Sequence, residues 1–120
     1  MFVYAGRVAS QGTAHSRFQR ALKTGNLVLI RTAAKEVGNV NLQDALTITL
    51  LMERDGDEGF ERAAAKWLAR LALEVPGVRI GDLRAGAEAL DGLPDPEAQT
   101  ALRDLCARHG LGRVTQELSS

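Results

Sequence analysis

Between Phe60 and Val75 the apolar residues return at intervals of four, three, four and four, as Phe60, Ala64, Trp67, Leu71 and Val75. An α-helix brings residues three and four apart onto one face, so this spacing lays an apolar stripe along one side of a helix. Ala63, Leu68 and Ala72 widen the stripe, while Glu58, Arg62, Lys66, Arg70 and Glu74 fall on the other side. Asp57 and Glu58 suit the positive N-terminal end of the helix dipole, and Pro76 with Gly77 ends the segment. A helix of this kind must bury its stripe against other elements, which already points to a multi-helix protein. Trp67, the only tryptophan, sits at the centre of the stripe among alanines. Small neighbours leave room for an indole to enter the facing helices, whereas a ligand-binding tryptophan sits among polar groups that orient the ligand. Trp67 is therefore expected in the core.

The same grammar recurs along the chain. Ser16 and Gln19 have capping-box spacing, Phe18, Ala21 and Leu22 form a stripe, and Gly25 stops the segment. Asn26 is a good N-cap for a helix carrying Leu27, Ile30, Ala33, Ala34 and Val37, which Gly38 closes. Asn41 caps the next, with Asp44 three residues on. The run "LTITL" inside it alternates like a strand, but Leu42, Ala45, Leu46 and Thr49 keep helical spacing. Ile80, Leu83, Ala87 and Leu90 mark a fifth helix, loosened by Gly86. A sixth opens with Asp95 as cap and Pro96 in the first turn, runs through Ala98, Ala101, Leu102 and Leu105, and stops at Gly110. The fold class expected is all-α, a compact irregular bundle or short stack of about six antiparallel helices. The capped starts are unevenly spaced, so no solenoid repeat is supported. Residues 1–15 lack a helical period and read as a flexible arm, 16–111 as a single helical domain, and 112–120 as a tail.

Alanine and leucine fill 35 of 120 positions, so the core is built mainly from small and branched aliphatic side chains. Cys106 is the only cysteine, which excludes an intrachain disulfide and fits a reducing, cytoplasmic setting. The first residues hold no apolar run of secretory type, and no stretch is long and apolar enough to span a membrane. Net charge is zero but uneven. Residues 1–40 hold six bases and one acid, net +5, and residues 41–120 hold nine bases and fourteen acids, net −5. The plainer reading is that the basic end faces the acidic remainder within the fold. The functional reading is a contact surface for an anionic partner, made by Arg17, Arg20, Lys23, Arg31 and Lys35.

The chemistry-bearing residues form no recognisable reactive set. Cys106 and His109 share a helix face at i and i+3, but zinc needs four ligands, or three and a water, and the other histidine is the distant His15. A thiol bordering an apolar stripe behaves as a small hydrophobe, and a histidine at a helix C-terminus answers the dipole. "DGDEGFE" fails as a calcium loop, since Phe60 occupies the turn glycine's place and Lys66 that of the closing acid. No phosphate-binding or nucleophile-elbow motif occurs. The expectation is a non-enzyme with no cofactor, no metal and no catalytic residue.

"SRFQRALKTGN", "LQDAL", "FERAAAKWLARLALE", "ALDGLP" and "LCARHG", over roughly positions 16–110, resemble a set of uncharacterised small all-helical proteins of high-GC actinobacteria. The resemblance implies a bacterial, all-helical protein and transfers no substrate, cofactor or active residue. Two functions follow as expectations. The first is a helical protein-interaction module with a protein partner. The second is a small DNA-binding protein, because residues at about 30–48 resemble a degenerate helix-turn-helix. There Ala34, Gly38, Val40, Ala45 and Ile48 take the packing positions, with one extra residue in the turn. Gln43 would face bases, but Asp44 brings the wrong sign to phosphates. Self-association is a third possibility, since Leu73 and Leu50 fall outside the core stripes.

Overall fold

Asn26 shows how local chemistry sets the architecture. Its side-chain oxygen accepts the N–H groups of Val28 at 3.0 Å and Leu29 at 3.3 Å, which opens one helix as the previous one closes. The structure is a computed structural model and describes the backbone of residues 2–111 and the side chains of 12–111. Among the described residues there are six helices and no strand, so the fold class is all-α. They are α1 (Phe2–Thr24), α2 (Leu27–Val37), α3 (Leu42–Arg54), α4 (Phe60–Glu74), α5 (Ile80–Gly92) and α6 (Pro96–Arg108). No described helix is long and apolar enough to cross a membrane.

By contact the chain divides into two units, residues 1–40 and 41–120, a finer division than the single domain at 16–111 expected from the sequence. The first is a hairpin of α1 on α2. Among the described side chains Ala14, Phe18 and Ala21 are its buried positions on α1, at i, i+4 and i+7, and Leu27 and Ile30 are those on α2. The two-residue link works because Gly25 adopts φ +68°, a left-handed conformation that costs glycine nothing. The Thr24 hydroxyl donates to the Ala21 carbonyl at 2.6 Å and closes the last turn of α1. One expectation is corrected here. Ser16 does not cap a helix: α1 begins at Phe2, so Ser16 lies in its interior and the segment read as a loose arm has helical backbone. The side chains of 2–11 and the tail at 112–120 lie outside the described residues.

In the second unit each helix packs on the next, α3 on α4, α4 on α5 and α5 on α6. Asn41 caps α3 as expected, accepting the Asp44 N–H at 2.8 Å. The "LTITL" stretch is helical, and its threonines are accommodated by bonding backwards. Thr47 donates to the Gln43 carbonyl at 3.2 Å and Thr49 to the Ala45 carbonyl at 2.8 Å. Leu42, Leu46, Ala64, Trp67 and Leu71 continue into Ala89, Leu90, Leu102, Leu105 and Cys106 as one hydrophobic core. Trp67 is 1% exposed, and its indole N–H donates to the Leu42 carbonyl at 2.9 Å. The indole thus fills the interior and fixes the start of α3 against α4.

The buried face of α5 differs from the one expected. Ile80 and Ala87 are exposed, whereas Gly86, Ala89 and Leu90 are buried. Gly86 is the reason. A Cβ there would lie 2.9 Å from Leu68 Cδ2 of α4 and 3.0 Å from Leu105 Cδ2 of α6, so the missing side chain is what lets three helices meet. On α6 the buried positions are Ala98, Leu102, Leu105 and Cys106, and Ala101 faces outward. The helix ends in a Schellman arrangement. Gly110 has φ +76°, its N–H donates to the Ala107 carbonyl, and the Leu111 N–H reaches the Cys106 carbonyl at 2.8 Å.

Candidate functional site

Arg17, Arg20, Lys23, Arg31 and Lys35 all lie in the α1–α2 hairpin and all are exposed. The first three come from α1 and the other two from α2. Arg17 pairs with Glu36 of α2, the only acid among residues 1–40, so part of its charge ties the two helices together. On α2, Val28, Arg31, Thr32 and Lys35 follow at i, i+3, i+4 and i+7 and share one solvent face, with Leu29 beside Val28. Val28 is 72% exposed and Leu29 51%, so two large aliphatic side chains stand in water at the start of this basic face. The sequence carried a signal for them. "LVLI" puts four apolar residues in a row, while a single buried face of a helix takes only Leu27 and Ile30.

The unit boundary and the charge boundary coincide. No charged residue occurs between Val37 and Gln43, and the units separate after Val40. The hairpin unit is net +5 and the four-helix unit net −5. Within the latter, residues 85–102 hold four acids (Glu88, Asp91, Asp95 and Glu97) and no base, and all four acids are exposed. Glu97 also lines a shallow depression on α6, with Pro96, Thr100, Ala101 and Asp104.

The residues weighed for other chemistry have structural partners. Cys106 is fully buried, and burial pushes its thiol up to about 11, which disfavours the thiolate a nucleophile or metal ligand needs. His109 turns instead toward Asp82, with Nε2 3.5 Å from the carboxylate. Asp82 accepts the Arg79 N–H at 3.0 Å at the start of α5 and pairs with Arg108 at 3.1 Å at the end of α6. The Arg79 N–H first, then the charges of His109 and Arg108, hold its carboxyl below the usual range. In "DGDEG", Asp55 bonds Arg54 at 3.0 Å and Asp57 accepts the Gly59 N–H at 2.8 Å, so these acids serve the turn between α3 and α4.

The two helices of the degenerate helix-turn-helix, α2 and α3, fall in different units. Gln43, the candidate base reader, donates to the Gly110 carbonyl at 3.3 Å, and Asp44 is buried. No residue of α3 before Arg54 is fully exposed. Of the two residues raised for self-association, Leu73 is 86% exposed, but Leu50 packs against the core. No protein-family model matches this chain, nor does any curated protein or solved structure.

Proposed function

We propose that this chain is a non-enzymatic helical module of the cytoplasm that works by contact with another protein, through the basic face of its α1–α2 hairpin. The observation that carries this reading is the exposed pair Val28 and Leu29 at the start of α2, with Arg31 and Lys35 following on the Val28 face. An aliphatic pair next to bases combines apolar burial with charge steering, the combination found at protein contact surfaces. The five candidate bases act there as steering and rim groups, Arg17 also as the clamp on Glu36. Duplex DNA is the competing partner because of the net +5 hairpin, but α3 offers no exposed reading face, and the aliphatic side chains at the start of the basic face add little to phosphate binding.

Two measurements test the reading. In pull-downs from extracts of the source cell, the wild-type chain is compared with an Arg20→Glu, Lys23→Glu, Lys35→Glu variant. The expected result is a protein retained by the wild type and lost by the variant, and identical captures by both would remove the hairpin from the interface. In the second, binding to duplex DNA is followed against salt. Measurable affinity at low salt, falling steeply as salt rises and abolished by the same three changes, would transfer the surface to nucleic acid.

A further inference from the structure

Residues 1–35 carry six bases and no acid, and residues 85–102 carry four acids and no base. The two stretches belong to different units, each exposes its charges among the described side chains, and each adds an apolar element. On α2 the element is Val28 and Leu29, both exposed, with Arg31 and Lys35 along the face of Val28. On α6 it is the depression that Pro96 and Ala101 line together with Glu97, Thr100 and Asp104. The two faces also match in length. Val28 to Lys35 and Glu97 to Asp104 are each seven residues apart, about 10 Å at the α-helical rise of roughly 1.5 Å per residue. The chain as a whole is neutral, so two copies approach without net repulsion while each presents unlike charge to the other.

We infer that the basic α2 face of one copy docks on the acidic α5–α6 end of a second copy, head to tail. This rests on the hairpin being a contact surface and names its partner. Val28 and Leu29 cover Pro96 and Ala101, and the bases around them face Glu88, Asp91, Glu97 and Asp104. The two patches differ, so the contact is heterologous: every open assembly keeps one basic face unused at one end and one acidic face at the other, until a ring closes or a filament extends.

Sedimentation velocity on the full chain tests this over a wide concentration range at low and high salt. The expected result is mass that grows with concentration at low salt, and association about tenfold weaker at about 0.5 M salt, where the screening length falls to roughly 4 Å. Two charge-reversed chains supply the specific test, one with Arg20→Glu, Lys23→Glu and Lys35→Glu, the other with Glu88→Lys, Asp91→Lys and Asp104→Lys. Each is expected to be monomeric alone, and an equimolar mixture to associate, because reversal on both sides restores unlike charge. Circular dichroism checks that both keep their helices, and if either does not, the concentration and salt series on the wild type decides. A wild type monomeric at every concentration overturns the inference, as does assembly indifferent to salt or mixed variants that stay apart. A monomeric wild type whose hairpin still captures another protein would overturn the second copy as partner while sparing the hairpin as the surface.

Discussion

Replacing Trp67 with alanine removes a fully buried indole and the donor to the Leu42 carbonyl together, with an expected loss of about 3–5 kcal/mol in urea unfolding. Trp67→Phe keeps most of the volume and loses the donor, so its cost is expected near 1–3 kcal/mol. A Trp67→Ala protein as stable as the wild type would remove the indole from the core. Cys106 offers a second check. Its thiol is fully buried and pushed up to about 11, so only about one thousandth of it ionises at pH 8 even when reagent can reach it. Labelling by a disulfide reagent should therefore wait for unfolding and track the denaturation curve, and fast labelling of the native chain would contradict the burial. Both placements were legible in outline from spacing, Trp67 fully and Cys106 as a bordering residue. The hydrogen bond to Leu42 was not, because its donor and acceptor are 25 residues apart and nothing local pairs them.

The helix α5 shows where pattern reading stops. Ile80 is the most apolar residue of its expected stripe, yet it is 77% exposed, and the helix is turned so that Gly86 faces the core. A periodicity built on apolar side chains cannot count a residue whose contribution is having none. Gly86→Ala should gain less than a free helical position does, because Leu68 Cδ2 and Leu105 Cδ2 would stand 2.9 and 3.0 Å from the new Cβ and must shift, and Gly86→Leu should cost about 1–3 kcal/mol. Gly81 on the same helix meets nothing within 4 Å, so Gly81→Ala should stabilise by up to about 1 kcal/mol. Equal shifts in urea midpoint for the two alanine variants would refute the close approach. Asp82 links the first turn of α5 to the end of α6, and its carboxyl is held below the usual range. A depressed native value means that its stabilisation is complete above about pH 4 and is lost as pH falls through that lower value. Thermal melts of Asp82→Asn should therefore fall less steeply on acidification than those of the wild type, and parallel curves would count against the link.

Between the units the difference is one of core. Among the described residues the continuous hydrophobic core lies wholly in residues 41–120, whereas the hairpin has two helices and few buried side chains. A segment of about 40 residues rarely buries enough surface to fold alone. Expressed separately, residues 41–120 should melt cooperatively with high helix content, and residues 1–40 should be largely unfolded. A cooperative melt of the hairpin alone would show that its own contacts suffice. The charge split at this boundary was visible in the sequence, because charge can be counted along a chain. That it coincides with a division of contacts was not, because contact is a property of the folded chain.

Helix number, helix type, most caps and the central stripe of α4 follow from residue order, since hydrogen bonding and hydrophobic period act over a few residues. Asn26, Asn41, Gly25 and Gly110 act where their neighbours say they should. The start of α1, the rotation of α5 toward Gly86 and the exposure of Val28 and Leu29 were settled by how helices meet. Which side of a helix is buried, and which charges remain in water, depends on neighbours distant in the chain, and no local pattern encodes them.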